Sequence, residues 1–221
     1  MEKNIAQNIF DSIVHSYDKF LNSTTFGQIK KWQKELIENS KIGKYAVDIG
    51  TGTGEVIKYI SEKFPYAKPI GLDISFQMLK KAKEKGIKAT FIKANALNMP
   101  FKDNSIDNIF CSLSFRHFPT DLAIKEFKRV LKTGGEISIL DISKPKSKIF
   151  YNAVYFFADK IFRPIGRLIF SKEEYDYFVE SVENSKTVPE LVKIFEENQF
   201  KIKYTKERFF KLIHIIVVEK I

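Results

Sequence analysis

One cysteine, Cys111, in 221 residues removes any disulfide framework and any thiolate-rich zinc or iron–sulfur site. The three histidines, at 15, 117 and 214, are too scattered to add a metal-ligand spacing. Long apolar runs are missing as well. Within the aromatic-rich part of the chain the longest stretch without a charge runs from Ile149 to Ala158, far short of the ~20 residues a membrane span needs. The start, MEKNIAQNIFDS, breaks any apolar run with charged and amide residues, unlike a signal peptide. Arginine is scarce: of 37 Lys plus Arg, which exceed the acids by ten, only those at 116, 129, 163, 167 and 208 are Arg. Nucleic-acid readers lean on the Arg fork, so this lysine-dominated surplus fits a solvated surface or an acidic membrane equally well. What remains is ordinary globular composition, 44% hydrophobic and 29% charged, which excludes wholesale disorder. The expectation is one soluble, cytoplasmic domain spanning 1–221.

Apolar spacing predicts an amphipathic helix over 4–21, on Ile5, Ile9, Ile13, Val14 and Tyr17, and a second helix over 26–38. The pattern then changes. KYAVDIG (44–50) is a short apolar run ending in Asp and Gly, the signature of a buried parallel strand. Beyond it strands over 68–73, 88–93, 106–112 and 135–142 alternate with helices over 54–64, 75–85 and 120–132. Such a βαβ series implies a doubly wound, mostly parallel α/β sheet with helices on both faces. Thr187 and Glu190 form a capping box for a helix over 188–198, which leads to an antiparallel hairpin of strands at 200–207 and 209–219. The total is seven strands, the last antiparallel.

The strongest local signal is DIGTGTG, Asp48 to Gly54, at the end of the first strand. Glycines there permit a tight turn and let a ligand lie against bare backbone at a helix N-terminus. The spacing G-x-G-x-G departs from the dinucleotide fingerprint, and Asp48 at the mouth of the loop would repel a diphosphate. A ligand carrying an ammonium and a sulfonium would be attracted instead. Asp73 ends the second strand, where an acidic side chain can accept both hydroxyls of a ribose. Together these residues fit S-adenosylmethionine better than NAD. Two more loops lie at carboxyl ends of strands: KANA (93–96), where the Asn95 amide can reach an adenine edge, and CSLSFRHF (111–118). The second lacks the Asn/Asp-Pro-Pro-aromatic tetrad of nucleobase and amide N-methyltransferases.

At these residues the chain resembles a class I, Rossmann-like, S-adenosylmethionine-dependent methyltransferase. More narrowly it is similar to the ubiquinone/menaquinone biosynthesis C-methyltransferases, the UbiE-like family. RVLKTGGEISILDIS (129–143) matches the later family signature with Asp141 where Glu is usual. YDKFLNSTTFGQIKKW (17–32) keeps Tyr17, Asp18, Gly27 and Trp32 of the earlier one. Phe20 and Leu21 replace its Met-Asn, Ile29 replaces a His, and Arg116-His117 stands for Arg-Asn. These departures fall on the acceptor side. The resemblance implies cofactor contacts from Asp48, Gly50, Gly52, Thr53, Asp73, Asn95, Ala96 and Ser112, and a helical lid over the cofactor from residues 1–40. It also implies a reduced polyprenyl quinone as methyl acceptor, with an inserted helical segment over 144–185.

Methylating an aromatic carbon needs an electron-rich ring, best obtained by ionising a ring hydroxyl, and a proton must later leave the carbon. Arg116 can hold a phenolate and His117 can act as base; Tyr17 joins them through the family match. The structural alternatives are that Arg116 pairs with an acid such as Asp121 and that His117 caps the next helix, while His15 and His214 read as surface and structural. Residues 144–170 set Lys144, Lys146, Lys148, Lys160, Arg163 and Arg167 against Asp159 alone, among seven Phe and Tyr. That mixture suits a lid over a prenyl tail, peripheral contact with anionic lipid, a homodimer interface, or, as a minor reading, an RNA track. N-methylation of a lipid amine, an RNA methyltransferase and a non-catalytic cofactor-binding module are the competing functions.

Overall fold

The computed structural model describes residues 2–144 and 171–221, so the expected lid over 144–170 lies almost wholly outside the described residues. Three helices open the chain, α1 (Glu2–Ile13), α2 (Tyr17–Thr24) and α3 (Ile29–Glu38). Then come β1 (Tyr45–Ile49), α4 (Glu55–Lys63), β2 (Lys68–Asp73), α5 (Phe76–Glu84), β3 (Thr90–Lys93), β4 (Ile106–Ser112), α6 (Thr120–Val130) and β5 (Leu131–Ile142). After the undescribed stretch follow α7 (Lys172–Glu183), α8 (Val188–Glu197), β6 (Phe200–Arg208) and β7 (Ile213–Lys220). They build one seven-stranded sheet in the order β3-β2-β1-β4-β5-β7-β6. The first five strands pair parallel, and β7 runs antiparallel to both β5 and β6. The doubly wound sheet with an antiparallel last strand is therefore as the pattern predicts.

Both faces are covered because the central strands carry apolar side chains on each side. On one face Phe127 of α6 and Leu191 and Phe195 of α8 pack with Ile109, Ile137, Phe200 and Ile216. On the other, Trp32, Leu36 and Ile37 of α3 and Ile57 and Ile60 of α4 pack with Ala46, Phe110 and Leu140. A fully buried side chain of this size contributes about 1.5–3 kcal/mol.

Three expectations move. The helix predicted over 4–21 is two helices, broken at residues 14–16. There the Ser16 N–H and hydroxyl both donate to the Ile13 carbonyl, and a serine that serves a carbonyl three residues back offers the backbone an alternative to continuing the helix. The next helix begins at Ile29 rather than 26, since Phe26 and Gly27 hold positive φ. The helix predicted over 120–132 stops at Val130, and β5 starts at once with Leu131 beside Ile106. The register then shifts across the Gly134–Gly135 turn before Glu136 pairs with Asn108. At the capping box the Glu190 carboxylate accepts from both the Thr187 N–H and its hydroxyl, each at 2.8 Å.

The site-bearing edge is set by how β1 enters the sheet. Fully buried Asn108 of β4 accepts from Gly43 N–H (2.7 Å) and donates to the Lys41 carbonyl (3.0 Å). Neighbouring Asp107 accepts from Tyr45 N–H. Replacing Asn108 by Ala removes both bonds at a part-buried donor and acceptor, which should lower unfolding free energy by about 1–2 kcal/mol. Urea denaturation measures it, and a loss below half a unit would show that the strand entry is held elsewhere.

Candidate functional site

The strand order brings the carboxyl ends of β3, β2, β1 and β4 side by side, which is where open α/β sheets bind ligands. Asp48 in β1, the loop to Gly54, Asp73 at the end of β2, Asn95 and Ala96 after β3, and Ser112 at the end of β4 share this edge. Arg116 and His117 sit just past β4 in a short 3-10 turn, Phe115–His117.

The loop is folded inward. Gly50 and Thr51 N–H groups both donate to the Leu72 carbonyl (2.8 and 3.0 Å), and Gly52 N–H donates to Asp73 Oδ2 at 2.8 Å. The amides of Gly50, Thr51 and Gly52 are thus engaged, and Asp48 and Asp73 stand at the loop. Gly50 has φ +66°, and a Cβ there would come within 2.6 Å of the Ser114 Cβ; both facts require glycine. Ser114 is held beneath it by donating to the Ile49 carbonyl at 2.6 Å.

Asp48 is buried, with Oδ2 accepting from the Thr51 hydroxyl at 2.7 Å and Oδ1 without any partner. Burial, and secondarily nearby Asp73, lifts its carboxyl to about 7. Asp73 accepts from Ser75 N–H as well as Gly52 N–H, yet burial still raises it to about 6. An orphaned buried carboxylate oxygen beside a second raised carboxyl is the environment that a cationic ligand relieves. The residues therefore fit S-adenosylmethionine, a ligand that carries positive charge. Asn95 turns its side-chain oxygen to Leu97 N–H (3.1 Å), which leaves its amide nitrogen for an adenine edge. Ala96 is buried beneath it.

The N-terminal helices sit on this edge. Asp18 accepts from the Thr53 hydroxyl at 2.6 Å and pairs with Lys85 at 2.9 Å. Asp11 of α1 accepts from the Ser75 hydroxyl, and the Tyr17 ring lies 3.7 Å from where a Gly52 Cβ would stand. Burial pushes the Tyr17 phenol up to about 12, so it stays protonated and can donate. Sequence reasoning found Tyr17 and Asp18 through the family motif. It missed Asp11, and it missed Gln33 of α3, which donates to Ser112 at 3.1 Å; neither residue stands in a motif.

Arg116 does pair with an acid, but with Asp141 of β5 rather than Asp121. The contact is 2.6 Å, with side chains 8% and 2% exposed. Asp141 also accepts from Arg116 N–H and Ile142 N–H, and Arg116 further donates to the Leu113 carbonyl and the Ser181 hydroxyl of α7. The Arg116 guanidinium holds the Asp141 carboxyl below its ordinary value despite full burial. His117 does not cap α6. Its ring stacks on Tyr177 of α7 (5.3 Å) and meets Phe10 of α1 edge-on (5.6 Å), with both nitrogens buried and unpartnered. Burial and the neighbouring Arg116 push it down to about 3, so the imidazole is neutral. His15 is exposed, and His214 is buried with Nδ1 on the Ser143 hydroxyl, both as read from the sequence. Among the described residues no group of His, Cys, Asp and Glu is arranged to hold a metal ion.

Comparison with known proteins agrees with this geometry. A family model described as the ubiE/COQ5 methyltransferase family matches residues 1–215. A demethylmenaquinone methyltransferase of Thermotoga maritima is 32% identical over 220 residues, covering 97% of this chain and 96% of the relative. One of Staphylococcus aureus is 34% identical over 209 residues, covering 90% and 86%. Among solved structures, a SAM-dependent methyltransferase from Aquifex aeolicus superposes with a TM-score of 0.62 at 21% identity, covering 86% of this chain and 89% of that one, which establishes the shared fold.

Asp48 yields a test on the free protein. Its raised pKa means the folded state binds a proton that the unfolded chain releases above its ordinary value of 3.8. Stability from this group therefore falls as pH rises from about 4 to 7. His117 and His214, depressed to about 3 and 4, act with the opposite sign as pH rises to 6.5, so the readout is a difference. Asp48→Asn should gain stability relative to the parent progressively between about pH 4 and 7, measured by urea denaturation across that range. A pH-independent difference would mean that Asp48 is ionised throughout.

Proposed function

We propose that this chain, which belongs to the ubiE/COQ5 methyltransferase family, methylates a ring carbon of a reduced demethylmenaquinone with S-adenosylmethionine as methyl donor. That it is a methyltransferase of the S-adenosylmethionine-dependent class follows from the family match over 1–215. The acceptor reading draws on relatives named demethylmenaquinone methyltransferase. One observation carries it on this chain: a fixed, buried cation, Arg116, and a neutral histidine with unpartnered nitrogens stand at the same edge as the acid-lined loop.

Bound S-adenosylmethionine supplies an electrophilic methyl group on a sulfonium. Asp48 and Asp73 hold that positive charge near the loop, and Tyr17, Asn95 and Ser112 bound the space around it. Exchanging a ring hydrogen for methyl releases one proton, and the ring carbon is nucleophilic enough only when a neighbouring hydroxyl is ionised. Arg116 stabilises that oxyanion from a position that needs no reorganisation. His117, kept neutral by burial, accepts the hydroxyl proton, its proton affinity raised by the approach of a negative oxygen. After methyl transfer the proton on the methylated carbon passes to the ring oxygen and restores the hydroxyl, so the one proton released is the one on His117. Relatives named demethylmenaquinone methyltransferase favour a quinol over a lipid amine as acceptor. Residues 1–40 act as the cofactor lid in this reading. A prenylated acceptor also sets the working enzyme at the cytoplasmic face of a membrane.

Incubation with S-adenosylmethionine and a chemically reduced, short-tailed demethylmenaquinol should yield, by mass spectrometry, a product one methyl group heavier, substituted on ring carbon. His117→Ala should cut turnover about 100-fold with cofactor affinity retained. Arg116→Ala alone confounds chemistry with stability, since it strands buried Asp141 at about 3–5 kcal/mol. The Arg116→Gln/Asp141→Asn pair avoids that charge and should lose about 100-fold or more in turnover. Cofactor binding without a methylated quinol would contradict the acceptor, and full activity in the paired variant would remove Arg116 from the chemistry.

A further inference from the structure

The turn joining β6 to β7 carries an apolar tip for which the cofactor site has no use. Phe209, Phe210 and Lys211 all hold left-handed backbone, φ 47°, 53° and 69°, a run that non-glycine residues rarely adopt. Phe210 is 79% exposed and Phe209 42%. Their rings lie 6.0 Å apart, and Phe209 meets Phe26, 73% exposed and also at positive φ, at 6.2 Å. Trp32 supports the group from below, 6.4 Å from Phe209. The tip is thus two aromatic rings on a left-handed turn and a third, Phe26, from the α2–α3 connection, with one buried indole beside Phe209.

Two features say what covers it. The first is charge. Lys30 and Lys31 follow Phe26 closely in the chain, Lys206 and Lys211 flank Phe209 and Phe210, and all four are exposed. Among the described residues the acids paired with them are Glu55 on Lys30 (3.6 Å) and Glu207 on Lys211 (3.7 Å). Arg208 is drawn inward to Glu35. The second is position. Ile213, the first residue of β7, pairs with Ile142, the last of β5, so the turn projects from the carboxyl edge of the sheet, the edge that carries Asp48, Asp73 and Arg116. Phe26 follows α2, whose first residues Tyr17 and Asp18 lie on the glycine loop.

We propose that this Phe26–Phe209–Phe210 tip with its lysines is a docking surface for an anionic lipid bilayer, the rings entering the headgroup layer and the lysines meeting lipid phosphates. Aromatic side chains flanked by Lys are suited to that interface. A second copy of the chain fits less well, because it would bring like charges together, and three rings offer less than the roughly 800 Å² per partner of a standard interface. The purpose of docking rests on the lipophilic acceptor proposed above: it sets the mouth of the site against the layer in which a prenylated ring resides. The binding itself does not depend on that reading.

Flotation with vesicles of phosphatidylglycerol and phosphatidylcholine tests it. The full chain should float with them, less so at high salt and less with phosphatidylcholine alone. Phe210→Ser should partition about tenfold more weakly, with thermal midpoint and S-adenosylmethionine affinity unchanged. Lys206→Glu/Lys211→Glu should abolish the preference for the anionic lipid. Equal flotation of Phe210→Ser and parent, or a parent that does not float, overturns the proposal. So does a parent dimer, seen by analytical ultracentrifugation without lipid, that Phe210→Ser splits. Turnover of the water-soluble, short-tailed quinol should be the same in Phe210→Ser and parent. If neither methylates it while flotation still depends on Phe210, the acceptor reading fails and the docking surface stands.

Discussion

Two buried carboxyls on adjacent parallel strands, Asp48 and Asp73, govern the rest of the site. Each is individually unfavourable where it stands, since burial resists its charge. The loop between Gly50 and Gly54 is shaped around them: the Thr51 hydroxyl and Gly52 N–H turn to the acids, Gly50 and Thr51 N–H close on the Leu72 carbonyl, and Gly54 N–H closes on the Thr51 carbonyl. That leaves one carboxylate oxygen unpartnered beside a second raised carboxyl. A loop of similar glycine content with outward amides would take a phosphate; this one is arranged for a cation. The N-terminal helices answer to the same constraint, since Asp11 and Asp18 anchor on Ser75 and Thr53, which flank the acids in sequence.

A second buried charge pair holds the acceptor side. Replacing such a pair with apolar residues is often neutral or stabilising, so Arg116–Asp141 is weak evidence for stability and better explained as a means of fixing a cation in place. Its surroundings tie distant parts of the chain together. Arg116 reaches Ser181 of α7, and His117 lies between Tyr177 of α7 and Phe10 of α1. The helices before and after the sheet's first five strands therefore meet over Arg116 and His117, the two residues proposed for the chemistry.

Much of this was legible in the residues. Alternating apolar runs located every strand, because buried parallel strands are apolar on both faces, and the acid before the first loop glycine pointed to a cationic ligand before any geometry was known. The misreadings have local causes. The break at 14–16 depends on one serine hydroxyl competing for a carbonyl, which periodicity does not register. Asp121 is closer in sequence to Arg116 than Asp141 is, but β4 and β5 are neighbours in the sheet, so the partner comes from across the ladder. Gln33 and Asp11 act through single long-range contacts. Phe209 and Phe210 were read as the opening of a strand; only their positive φ shows a turn that exposes them.

The central claim is that buried, partly protonated acids recognise a positively charged cofactor, and calorimetric titration of the protein with S-adenosylmethionine tests it most directly. The titrations are run near pH 6.5 in buffers of different ionisation enthalpy. With free-state values of about 7 and 6 for Asp48 and Asp73, cation binding must drive protons off. The observed heat should vary with the buffer in proportion to a release approaching one proton per site, and affinity should rise with pH toward about 7. Heats independent of the buffer, with tight binding, would contradict the account, for they would mean that the acids are already ionised or do not face the cofactor.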